Sequence, residues 1–161
     1  MAGGSLLLLA GAVWGQSVVG PRTEYVRMGG NVVATVSEGE FTDIVGTVYE
    51  PFAGAAELML ASGITSGCVA NPRQYCPSYE LPRDAMSVFV IRAWSIRKYG
   101  TAEGFMTYDR PRDAPYFADV PYGSPFYYYI QKMWEVGISN GCAAGSPLPY
   151  FCPSALVTIG H

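Results

Sequence analysis

The sequence predicts a mainly α fold, built of tandem helix-loop-helix repeats with disulfide-closed loops and preceded by a short β-hairpin. Three observations carry that expectation. The stretch "GITSGCVANPRQYCP", Gly63 to Pro77, returns as "GISNGCAAGSPLPYFCP", Gly137 to Pro153. Each copy follows apolar residues at helical spacing, and the four cysteines fall two to a copy.

The helices come from periodicity. Phe52, Ala56, Met59, Leu60 and Gly63 align with Phe126, Ile130, Met133, Trp134 and Gly137. Spaced at i, i+4, i+7, i+8 and i+11, they form the apolar stripe of an amphipathic helix. Pro51 and Pro125 suit a first helical turn, Ser124 suits a cap, and Gly63 and Gly137 suit a left-handed stop. Upstream, Phe41 and Asp43 match Phe117 and Asp119. After Pro77 a second helix presents Met86, Phe89, Val90 and Ala93 to cover the first stripe. After Pro153 only a short tail follows, so repeat two lacks its second helix and its stripe is expected to need cover from elsewhere, which points to a truncated or frame-shifted reading frame or to a partner.

The segment Leu6 to Trp14 has the length of a signal-peptide core, with Val13 and Gly15 suited to a cleavage after Gly15. It is shorter than a membrane span. In an exported chain, cysteines pair. The repeat joins Cys68 to Cys76 and Cys142 to Cys152, spacings too long for the paired ligands of a zinc ribbon. No metal or cofactor is expected. Residues 24–36 alternate about a Gly-Gly pair, a hairpin signal. The boundaries are 1–15 for the signal, 16–40 for the hairpin segment, 41–94 for repeat one, 95–116 for a linker and 117–161 for repeat two.

A net charge of −3 with scattered Lys and Arg disfavours nucleic acid, since Asp109 and Asp113 flank Arg110 and Arg112. Catalysis has little support: the single histidine, His161, is the last residue, and of the carboxylates that could form a glycosidase pair, Asp43, Glu57, Asp119 and Glu135, the equivalent Asp43 and Asp119 read as caps.

The order Phe-x-Asp, Pro-Phe before an amphipathic helix, Gly-Ile-x-x-Gly, and a turn into a second helix resembles the S-layer homology (SLH) repeat, in a cysteine-containing form. The hairpin is similar to the closing hairpin of YD-repeat (Rhs-type) surface proteins. The SLH resemblance implies an exported, non-enzymatic module at the bacterial cell surface that binds cell-envelope polysaccharide. Where that family opens its second helix with Thr-Arg-Ala-Glu, this chain has Pro82, Arg83, Asp84 and Ala85, so Arg83 alone keeps the charge that meets an anionic polymer. The glycan-binding candidates are Arg83, Gly67, Gly141, Asp43, Asp119 and Tyr127. Tyr122, Tyr127, Tyr128 and Tyr129 lie beside the core residues Phe126, Ile130 and Trp134, and their rings stack on sugar, form a protein interface or pack internally. The alternative function is a self-assembling surface protein, a homo-oligomer held through that tyrosine face.

Overall fold

The computed structural model describes residues 23–28 and 31–37 as strands and residues 40–157 throughout. The expected signal segment and the last four residues, His161 among them, lie outside the described residues. Strand β1 (Thr23–Met28) pairs antiparallel with β2 (Asn31–Ser37), with a bulge between Val26 and Arg27. Helices α1 (Ala53–Ala61), α2 (Arg83–Tyr99), α3 (Gly104–Tyr108) and α4 (Tyr127–Glu135) make up the rest, with a two-residue ladder of β3 (Val69–Ala70) and β4 (Arg73–Gln74). The chain is thus mainly helical, with a small antiparallel hairpin and two disulfides.

Helix α1 starts after a 3-10 turn, Glu50–Phe52, that carries the expected proline. At nine residues it is too short to stand alone. Ala56 packs with Phe41 and Ile44, while β2 runs beside the helix.

Both α1 and α4 end in the same Schellman turn. Gly63, at φ +76°, donates to Leu60 O (2.9 Å) and Ile64 donates to Met59 O (2.8 Å). Gly137, at φ +72°, and Ile138 repeat these bonds to Trp134 O (3.0 Å) and Met133 O (2.9 Å). This is why isoleucine follows the glycine: the turn satisfies helix-end carbonyls and places an apolar residue just beyond them.

The packing of the second helix departs from expectation. Helix α2 packs chiefly on α4 and α3 rather than on α1. Its buried side is Ser87, Val88, Ile91 and Ser95, whereas Ala93 is exposed. The stripe of α4 is therefore covered: Ile130 and Met133 are buried with Ile91, Phe105, Phe117 and Phe151. Each such large apolar side chain contributes roughly 1.5–3 kcal/mol. Phe52 and Phe126, expected to lead the two buried stripes, are exposed at the helix starts.

Residues 95–116 are not a plain linker. Helix α2 runs on to Tyr99 and stops at Gly100, at φ +81°. Helix α3 then delivers Phe105 into the core. Ser95 on α2 holds that turn, donating to Thr101 O (2.8 Å) and accepting from Phe105 N (3.0 Å). Lys132, 1% exposed, pairs with Asp109 (3.3 Å) and Glu135 (2.6 Å). The Tyr99 hydroxyl donates to Asp109 at 2.8 Å and leads in holding that carboxyl below its usual range, with Lys98 and Lys132 adding to the effect.

The start of α2 lacks a side-chain cap, as Pro82 requires. Its first N–H groups are met from afar instead: Arg83 N donates to Ala155 O (2.9 Å) and Asp84 N to Pro153 O (3.1 Å). Ser124 does not cap α4; its hydroxyl donates to Pro121 O at 2.7 Å.

Candidate functional site

The two cysteine loops are held by identical contacts. Asp43 accepts the backbone N–H groups of Tyr75 (2.8 Å) and Cys76 (2.7 Å), and Asp119 accepts those of Phe151 and Cys152 (2.7 Å each). Cys76 and Cys152 take left-handed φ of 58° and 59°. Each closes a disulfide, with Cys68 and Cys142 respectively. A carboxylate that receives two N–H groups fixes the backbone where the chain turns back on itself.

Gly67 and Gly141 have φ of +83° and +96°. A Cβ at Gly67 would collide with the Gln74 carbonyl and the Phe41 ring, and one at Gly141 with the Tyr150 carbonyl and the Phe117 ring. The preceding Thr65 and Ser139 hydroxyls accept the glycine N–H groups at 3.1 and 3.2 Å. Glu57 and Gln131, at equal offsets in the two helices, are buried and accept Phe41 N (3.1 Å) and Tyr116 N (2.8 Å).

Two concavities adjoin this framework. The larger, about 500 Å³, lies between the first loop and α2; its lining includes Gly67, Tyr75, Tyr79, Glu80, Phe89 and Arg92. The smaller, about 340 Å³, is formed by Glu103, Met106 and the aromatic residues of 122–129. Phe126 lines both. Arg92 spans the zone: its Nε donates to Glu103 (2.8 Å), its Nη1 donates to Ile64 O (3.2 Å), and it lies 5.7 Å from the Tyr129 ring centre. Tyr129 donates to Glu103 at 2.7 Å, and burial, joined by that carboxylate, pushes its hydroxyl up to about 12.

Of the sequence candidates, Gly67 lines the larger cavity and Asp43 fixes its loop. Gly141 and Asp119 do the same framework work at the second loop. Arg83, expected to meet an anionic polymer, is half-buried: its Nε donates to Phe151 O at 3.0 Å and its guanidinium lies 4.9 Å over the Phe151 ring. Tyr127, one of the glycan-binding candidates, is buried and donates to Asp113 O at 2.7 Å, so of the three roles open to the tyrosines it packs internally. Tyr79, Phe89, Arg92 and Glu103 were missed; their only sequence signal was proximity to the loop and to the tyrosine cluster.

No family model, curated protein or solved structure matches this chain. Among the described residues, no helix is long and apolar enough to cross a membrane, and no group of three or more His, Cys, Asp or Glu could hold a metal ion.

Proposed function

We propose that the chain is an exported, non-enzymatic module that anchors to cell-envelope polysaccharide through SLH-like repeats, with the larger cavity as its binding groove. The observation that carries this reading is the juxtaposition at that groove: a loop made rigid by Asp43 and a disulfide faces a helix presenting Phe89 and Arg92. Binding sites are concave, largely apolar and furnished with few polar groups. Aromatic rings with polar tips suit sugar rings, which have apolar faces and hydroxyl edges. The two disulfides accord with an oxidising compartment. A hydrolytic role fits poorly, because Asp43 and Asp119 each already receive two backbone N–H groups.

The test is retention of the purified chain on insoluble envelope polysaccharide, with competition by the soluble polymer. Competed retention supports the reading; passage through the column contradicts it.

A second reading, self-assembly through protein contacts, draws on a different surface from the tyrosine face. Val45, Val48 and Phe52, the last 66% exposed, form an apolar stretch leading into α1. Sedimentation over a concentration series separates the two: mass that grows with concentration, without glycan, favours assembly.

A further inference from the structure

We infer that the ligand is an uncharged glycan chain lying across Phe126 from one cavity into the other, rather than an acidic polymer; this rests on the glycan reading above.

Phe126 is the pivot. It precedes α4 with φ +57°, a left-handed conformation that is an outlier for a bulky residue, and the residue remains 43% exposed. A strained backbone that holds an aromatic ring partly in water does little for the core. Such outliers persist where the surroundings impose them, often at ligand sites. The two cavities meet at this ring, and each offers a further exposed aromatic: Tyr79, 75% exposed, in the larger and Tyr122, 60% exposed, in the smaller. Three rings along one path suit successive sugars of a chain better than a single monosaccharide.

The charges select the kind of chain. The charged residues lining the two cavities are Glu80, Glu103 and Arg92. Two carboxylates against one guanidinium leave an excess of one negative charge, and Arg92 is already bound to Glu103 at 2.8 Å. Arg83 lines neither cavity and is held by the Phe151 carbonyl and ring. A polyanion would meet repulsion here, whereas a neutral glycan can offer hydroxyls to Glu80, Ser66 and Ser124.

The experiment separates envelope polysaccharide by anion exchange into neutral and acidic fractions and measures binding of each to the full chain. Oligosaccharides cut from the neutral fraction supply a length series. The neutral fraction should bind, with less than about twofold change between 0.1 and 1 M salt. Affinity should rise about tenfold or more from disaccharide to hexasaccharide. Phe126→Asn, whose side chain tolerates the left-handed backbone, and Tyr122→Ala should each weaken binding about tenfold without lowering the melting temperature. Salt-sensitive binding of the acidic fraction alone would overturn this inference and leave the glycan reading standing. Neutral binding indifferent to both substitutions would overturn the path across Phe126. Binding of neither fraction would remove the glycan reading itself, and this inference with it.

Discussion

The carboxylate of Asp119 accepts the backbone N–H of Cys152 at 2.7 Å, and the cysteine it holds is left-handed, at φ 59°. The aspartate therefore sets the direction from which the closing cysteine meets its partner. Asp119→Ala removes two charge-assisted bonds and should cost about 2–4 kcal/mol. Asp119→Asn should recover less than half of that, because one oxygen becomes an NH₂ group facing an N–H. Denaturant midpoints under non-reducing conditions measure both; a loss below about 0.5 kcal/mol for the alanine variant would show that the clasp is idle.

Non-reducing digestion should yield one linked peptide for Cys68 with Cys76 and another for Cys142 with Cys152. Replacing either pair by serine should cost about 2.5–3 kcal/mol on loop entropy alone. The second pair should cost more, because its loop carries the fully buried Phe151 whereas the first carries the half-buried Tyr75. Equal costs would argue that Phe151 keeps its place without the staple.

Phe105 and Phe52 make an opposed pair. Phe105→Ala empties a fully buried site between α3 and the α2–α4 core and should cost about 3–5 kcal/mol. Phe52→Ser should change stability by less than about 0.5 kcal/mol, its ring being mostly in water. A reversal of that order in urea melts would contradict the packing described above.

The fold should weaken in strong alkali. Burial, joined by the Glu103 carboxylate, pushes the Tyr129 hydroxyl from its ordinary 10.0 up to about 12, so the folded state holds its proton more tightly than the unfolded chain. That contribution is intact below pH 10 and is lost as pH climbs from about 10 to 12. Tyr129→Phe should flatten this part of the melting-temperature profile, and an unchanged slope would exclude Tyr129 as its source. Asp109 acts on the acid side: with its folded pKa lowered from 3.8, its contribution is present above that value and fades as pH falls below it.

Local features were the most legible part of the fold. The left-handed glycines after α1 and α4, and the cysteine partners, follow from residue type and spacing, because backbone strain and loop length act within a few residues. Partner choice was not legible. Nothing in the spacing of Met86, Phe89 and Val90 told that Ile91 would meet α4, since the pairing depends on Phe105 and Phe151 arriving from distant segments. Residues 95–116 read as a linker because Gly and Pro masked a five-residue helix with one large apolar anchor. Arg83 misled for a related reason: the carbonyl that binds it lies 68 residues away. The groove residues Tyr79 and Arg92 belong to no motif, and only the fold brings them together.

Amide chemical shifts of the labelled chain, followed while neutral envelope polysaccharide is titrated in, decide whether the two cavities bind glycan. Saturable shifts should concentrate at Tyr79, Arg92, Tyr122 and Phe126, the residues around the two adjoining cavities. Shifts confined to Val45, Val48 and Phe52, or a spectrum unchanged at saturating polysaccharide, would contradict glycan binding there.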